Sequence, residues 1–234
     1  MNESRIGPFS LEEKLGGRNS SVHRAIHLEQ RKQVALKLFS VPFGATEHAG
    51  SDFVEEMNVL RQLRHPNIVR CFGGKIEDRV GYTAWELIDG ETLVTLLVRR
   101  GRLAWEQAIE YAQAIAAALH AARELELTHQ DLMPDKLLIT TDGQLKVTDF
   151  RRDRMNNPWC FSSRKKSLAR WSYLAPEQLR GETHLTHKTD LYSLGCVLFH
   201  MLTGRPPFVA STPEALHEQQ LNTVPPRACS VALD

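Results

Sequence analysis

The stretch HQDLMPDKLLIT, residues 129 to 140, reads as a loop built to move a phosphate, with the carboxylate of Asp131 near its head. Two of its positions carry other chemistry. Met133 offers a thioether, which cannot neutralise an oxyanion, and Lys136 offers an ammonium, which donates hydrogen bonds and repels a cation. A second carboxylate follows at Asp149 in TDF. Upstream, VALK ends at Lys37 and FVEEMNVL holds Glu56; downstream come LAPE at 174 to 177 and DLYSLG at 190 to 195. Each signal is weak alone, because a lysine on a strand is usually a solvated charge and an Asp-Phe pair occurs by chance. Six of them in this order and at these separations are not a coincidence.

The elements that must position these residues fall into two textures. Up to residue 88 the apolar pattern predicts short strands, VALKLF at 34 to 39, IVRCFGG at 68 to 74 and GYTAWELI at 81 to 88. One helix interrupts them from Asp52 to Leu63, where Phe53, Met57, Leu60 and Leu63 recur at helical steps. It stops before His65-Pro66, since the residue ahead of a proline disfavours the helical region. After residue 88 the texture turns helical. Trp105, Ile109, Ala112, Ile115, Ala116 and Leu119 are expected to line the inner face of an alanine-rich helix over 104 to 125. A second buried helix is expected over 190 to 203, closed by Gly204 and Pro206-Pro207. Residues 1–88 and 89–234 thus form two parts, with no internal repeat between them.

Bulk properties bound the function. With 234 residues, 42% hydrophobic and 24% charged, the chain buries a sizeable core, which excludes disorder and fibre. A formal net charge of +1 gives no global drive toward nucleic acid or membrane, so no specific nucleic-acid partner is expected. No apolar run approaches the ~20 residues that span a bilayer. The cysteines, Cys71, Cys160, Cys196 and Cys229, lack metal-finger spacing and read as free thiols in a reducing cytoplasm. The histidines at 65, 184, 187 and 200 also lack ligand spacing, and His129 is expected to pack beneath the loop with its ring bonded to backbone.

The ordered motifs resemble a protein kinase domain of the serine/threonine class, from about Leu15 to Phe208. The resemblance implies an α+β, two-lobed fold, a small β-rich N-lobe with one helix and a larger helical C-lobe, with ATP in the cleft between them. It implies that Lys37 holds the α- and β-phosphates and that Glu56 pairs with it, Glu55 being the competing choice. Asp131 takes the place of the base that accepts the substrate hydroxyl proton, and Asp149 that of the magnesium ligand. Gly16, Gly17, Val22, Ala35 and Leu138 line the nucleotide, Lys136 lies by its phosphates, Glu86 to Ile88 form the hinge to adenine, and Trp85 guards the pocket behind it.

Departures from the family pattern point the other way. Met133 replaces a lysine that reaches the transferring phosphate, and Lys136 replaces an asparagine that ligates the second magnesium. Arg151 removes the glycine after Asp149-Phe150, and Arg170 stands where a threonine contacts the catalytic aspartate. The glycine-rich loop is eroded, with Leu15, Gly17 and Ser20 at its three glycine positions unless a gap restores Gly16 as the first. The expectation is a pseudokinase or strongly impaired kinase with weak or metal-independent ATP binding and doubtful Mg2+. Its alternative is an active but slow serine/threonine kinase in which Lys37, Glu56, Asp131 and Asp149 suffice. Lys136 itself offers a rescue, by bringing its charge to the place of the missing metal or lysine.

Three further expectations complete the reading. Gln130 replaces an arginine that clamps a phosphorylated loop, so phosphorylation of Ser162, Ser163 or Ser167 is not expected to switch the site in the usual manner. The basic stretch 151 to 170, with Arg151, Arg152, Arg154, Arg164, Lys165, Lys166 and Arg170, reads either as a solvated loop or as a landing strip for an acidic protein partner. Thr212 and Pro213 start a further helix over 212 to 221. The family continues beyond it, with an arginine that pairs with Glu177, whereas this chain stops at Asp234. It reads as a fragment or as a short lobe in which Glu177 finds another partner.

Overall fold

A computed structural model of the protein describes residues 5–15, 21–41, 49–77, 80–150 and 168–231. Gly16, Gly17, Ser20, Arg151, Cys160, the three serines at 162, 163 and 167, and the basic side chains from 152 to 166 lie outside the described residues. The chain divides into two compact units, one of residues up to 65 with 69–89, the other of 66–68 with residues from 90 onward.

In the first unit the strands are β1 (Arg5–Ile6), β2 (Phe9–Leu15), β3 (Val22–His27), β4 (Lys32–Ser40), β5 (Cys71–Glu77) and β6 (Val80–Trp85), in the order β1-β2-β3-β4-β6-β5, every neighbour antiparallel. Alternation along β4 sets the two faces. Val34 and Leu36 are buried with Phe9, Ala25, Tyr82 and Ala84 on one face, which leaves Ala35, Lys37 and Phe39 on the other. Phe39 stands opposite Gly81, and its ring fills the space that a Cβ at Gly81 would need, 2.1 Å away. The same ring meets Phe53 of helix α1 (Ala49–Gln62) with centroids 5.6 Å apart. That helix buries Phe53, Met57 and Leu60, the stripe the sequence marks, and starts three residues ahead of the expected Asp52. Strand β5 begins later than expected. Ile68 and Val69 are buried, but Ile68 bridges Val147 of the second unit rather than extending β5.

The second unit contains a small antiparallel sheet, β7 (Gly90–Thr92), β8 (Leu137–Thr140) and β9 (Leu145–Val147). Its helices are α2 (Leu93–Arg100), α3 (Trp105–Arg123), α4 (Leu168–Trp171), α5 (Pro176–Leu179), α6 (His187–Thr203) and α7 (Pro213–Asn222). Caps explain several ends. The hydroxyl of Thr212 accepts from Ala215 N at 3.2 Å with Pro213 in the first turn, as expected. Gly204 closes α6 with a left-handed φ of 79°.

The inner face of α3 differs from its sequence reading. Ala108, Tyr111, Ile115, Ala118, Leu119 and Ala122 are buried, while Trp105 is 66% and Ile109 40% exposed. The helix packs against α6, and small alanines permit that close approach where a Trp would not. The expected helix at 190 to 203 is present and begins at His187, capped by Thr186.

Candidate functional site

In the first unit Lys37 sits mid-strand, opposite Val22 on β3 and Thr83 on β6. Ala35, one step along the same face, is opposite Trp85, whose indole N–H donates to Thr83 Oγ1 at 2.8 Å. The two glutamates of α1 separate by burial, since Glu56 is 7% exposed and shares the buried stripe, whereas Glu55 is exposed. Beyond β6, Glu86 N donates to Arg70 O at 2.9 Å and Arg70 N donates to Glu86 Oε2 at 3.1 Å. This double clasp fixes the start of the segment 86 to 88, in which Ile88 is half-buried.

In the second unit the loop from His129 hangs on one buried carboxylate. Asp190, 3% exposed in α6, accepts His129 N on Oδ2 and Gln130 N on Oδ1, both at 2.7 Å. Gln130 takes a left-handed φ of 58° and Asp149 one of 66°, conformations that non-glycine residues adopt only when their surroundings hold them. The His129 ring is fully buried and joins the two segments. Asp131 N can only donate, at 3.3 Å to Nδ1, so Nε2 carries the proton and donates to Thr148 O at 2.8 Å. The expected packing of His129 against backbone is therefore present, with Phe150 edge-on at 5.1 Å.

Both candidate carboxylates are engaged by side-chain cations. Lys136 leaves the short helical turn Pro134–Lys136, and its Nζ donates to Asp149 Oδ2 at 2.8 Å. Arg170 in α4 donates from Nε to Asp131 Oδ1 at 2.5 Å. The four side chains are between 12% and 26% exposed, so these are partly buried pairs, shielded from the solvent that weakens surface ones. Met133, 8% exposed, is turned into the core. The ammonium of Lys136 thus sits on the carboxylate of Asp149. Leu138 lies mid-β8, between Thr92 and Lys146.

Several supports were not foreseen from sequence. Gln178 donates from Nε2 to Gln130 O at 2.8 Å and accepts Ala175 N at 3.0 Å. Gln220, 5% exposed, donates to Trp171 O at 2.9 Å, and Ser193 donates to Tyr173 O at 2.7 Å. Glu177 finds its partner in Thr189, whose hydroxyl donates at 2.6 Å. Tyr173 Oη lies 2.6 Å from His200 Nδ1; burial pushes the phenol up and holds the imidazole below the usual histidine range. Amide side chains at helix positions carry no signal of such long-range bonds.

Among the described residues no three His, Cys, Asp or Glu side chains gather as metal ligands. Likewise, no helix among them is long and apolar enough to cross a membrane.

A family model described as Protein kinase domain matches residues 9–230. A probable serine/threonine-protein kinase of Clostridium acetobutylicum is 32% identical over 221 residues, covering 93% of this chain and 34% of that protein. The serine/threonine-protein kinase PrkC of Bacillus subtilis is 30% identical over 213 residues, 91% of this chain and 33% of that protein. The serine/threonine-protein kinase PknB of Mycolicibacterium smegmatis is 33% identical over 227 residues, 93% and 36% respectively. The chain therefore spans about a third of the length of the curated relatives it matches.

Proposed function

Because this chain belongs to the protein kinase family, we propose that it is a serine/threonine-type kinase domain that holds a nucleotide, transfers phosphate poorly or not at all, and acts on or through a partner protein. The single observation that carries the reading is the ion pair between Lys136 Nζ and Asp149 Oδ2 at 2.8 Å. Members of the family use ATP with Mg2+ held by the equivalent aspartate and by an asparagine carbonyl. Here one oxygen of that aspartate accepts from an ammonium, and that ammonium, of Lys136, stands where the family has the asparagine carbonyl. An ammonium has no lone pair for a metal and repels one, so the donor set does not fit the two-ion arrangement, and no step is derived through it.

The roles follow from chemistry. Lys37 answers the α- and β-phosphates and Glu56 orients it; Val22, Ala35, Leu138 and the segment Glu86 to Ile88 receive the nucleoside. Asp131 is the candidate proton acceptor for a substrate hydroxyl, but its Oδ1 already accepts from Arg170. A hydroxyl must displace the guanidinium or use the other oxygen. Losing one electrostatic contact to the transition state costs on the order of 10²–10³ in rate. With Met133 and Lys136 both changed, turnover falls by up to about 10⁴–10⁶ from the roughly 1–100 per second of the family, less if the positions act as a unit.

A second reading, a slow but working serine/threonine kinase, is favoured by the retention of Lys37, Glu56, Asp131 and Asp149 and by the Asp190 anchor under the loop. Thermal-shift titration with ATP, with and without magnesium, tests nucleotide binding. Transfer of labelled phosphate to a generic protein substrate decides between the readings, and incorporation lost in Asp131→Asn would refute the first. Free thiols at Cys71, Cys196 and Cys229 support a reducing compartment such as the cytoplasm. Partner affinity that falls with rising salt would support an acidic partner for the basic stretch.

A further inference from the structure

Arg170 meets the candidate proton acceptor with only one of its donors. Its Nε donates to Asp131 Oδ1 at 2.5 Å, whereas a guanidinium presents five N–H groups in a rigid fork. Among the described residues no acceptor takes the four on Nη1 and Nη2. Neither nitrogen is sealed from water without a partner, so the outer edge of the fork opens to solvent although the side chain is only 23% exposed. The backbone that carries it is fixed from behind. Gln220 donates to Trp171 O at 2.9 Å and to Leu174 O at 3.4 Å, and Ser193 donates to Tyr173 O at 2.7 Å. Asp131 follows a residue that is itself tied down, since Gln130 N donates to Asp190 and Gln130 O accepts from Gln178. All of these residues belong to the second unit.

We infer that Arg170 is a specificity determinant for the partner protein, its Nη1–Nη2 edge receiving a carboxylate or phosphoryl group that the partner segment carries beside the residue it presents to Asp131. The inference rests on the reading that the domain acts on or through a partner protein, and it narrows that partner's chemistry. A group that approaches Asp131 Oδ1 comes within reach of the guanidinium. Carboxylate and phosphate match the fork with two parallel N–H···O bonds, and Nε stays on Asp131 while the outer edge is used, so the existing contact need not break. The cation then stands between the two anions. With Nε and the backbone already held, little rotamer freedom is lost on binding. A threonine at this position, as in the family, offers one hydroxyl and no charge. A neutral partner segment leaves the outer N–H groups to water and gains nothing from them.

Fluorescence anisotropy of the whole chain with labelled serine peptides tests this, with alanine, glutamate or phosphoserine fixed in turn at each position flanking the central serine. At one flanking position or more, an anionic peptide is expected to bind about tenfold more tightly than its alanine counterpart, as one charge-assisted pair at a partly exposed site permits. A gain with glutamate assigns the site to carboxylate, and a gain with phosphoserine alone assigns it to phosphate; either supports the inference. Arg170→Thr is expected to remove the preference. Arg170→Gln keeps a long hydrogen-bonding side chain without the charge and serves if the first variant does not fold. Alanine peptides that bind wild type as tightly as anionic ones overturn the inference and leave the partner-protein reading standing. A preference that survives in full in a folded variant also overturns it, since the anion then answers to other basic residues. The wild-type comparison decides if neither variant folds. No binding of any peptide overturns the inference, and titration with ATP then shows whether the nucleotide reading stands without it.

Discussion

Replacing Asp190 by alanine tests whether one carboxylate holds the candidate catalytic loop in place. The side chain is 3% exposed and accepts His129 N and Gln130 N, each at 2.7 Å. Alanine leaves both N–H groups buried beside a void. Hydrogen bonds to a charged acceptor contribute about 1.5–3 kcal/mol each, so the loss amounts to roughly 3–6 kcal/mol. At about 2–4 °C per kcal/mol for a chain of this size, Tm falls by roughly 6–24 °C. Asp190→Asn keeps the shape and one acceptor oxygen but turns an NH2 toward an N–H, so it loses more than half of the same amount. Leu191→Ala, one residue along α6 and 53% exposed, is the control and shifts stability by no more than about 0.5 kcal/mol. Calorimetric unfolding of the three variants gives the magnitudes. Amide exchange at residues 129 to 131 gives the location, since the left-handed backbone of Gln130 relaxes once its anchor is gone. If Asp190→Ala unfolds within a degree or two of Leu191→Ala, the anchoring argument is refuted.

Stability should also depend on pH through His200, which burial holds below the usual histidine range. Its neutral form is the native one and the unfolded chain takes the proton first, so stability is complete above about pH 6.5 and is lost as pH falls through that value toward the lower folded pKa. His65, lowered by the same cause, adds in the same direction; urea unfolding across this range should show the loss, with a shallower slope in His200→Gln. Burial pushes the thiols of Cys71 and Cys196 up to about 11 and about 12, whereas Cys229 is exposed. Iodoacetamide at about pH 8 should then label Cys229 and spare the other two in the folded chain, as peptide mapping would reveal. A Cβ at Gly90 would stand 2.0 Å from Ile139 O, so Gly90→Ala should force β7 from β8 at a cost of roughly 1–3 kcal/mol. Gly50→Ala, with open space around it in α1, should be neutral or stabilising by up to about 1 kcal/mol in the same unfolding assay.

Local patterns made much of the fold legible. The stripe Phe53, Met57, Leu60 in α1, the alternation along β4 and the Thr212-Pro213 start of α7 were readable because the physics that sets them acts within a few residues. In α3 the periodicity admitted two overlapping stripes, both containing Ile115 and Leu119. Reading by size favoured Trp105 and Ile109, but the approach of α6 selects the alanines at 108, 118 and 122. Each candidate site residue stands in a short motif, which is how the sequence nominates it. Their pairing was not. Arg170 reaches Asp131 across 39 residues and Gln178 reaches Gln130 across 48, and no spacing rule for helices or strands links positions so far apart.

Those pairings change what the departures mean. Met133 and Lys136 read singly suggest decay, the loss of a cation at one position and of a metal ligand at the other. Decay alone would leave two partly buried carboxylates with less positive charge than they need, a costly arrangement. Each carboxylate instead has a protein cation within 2.8 Å. Arg170, at the threonine position, brings back near Asp131 the charge absent at Met133, and Lys136, at the asparagine position, supplies to Asp149 a charge that a metal would otherwise bring. The carboxylates are thus kept stable by substitutions that also occupy the oxygens phosphate transfer would use. Under the proposed function, structural integrity and low turnover are two results of the same pair of contacts, while Asp190 and His129 anchor the loop independently of them.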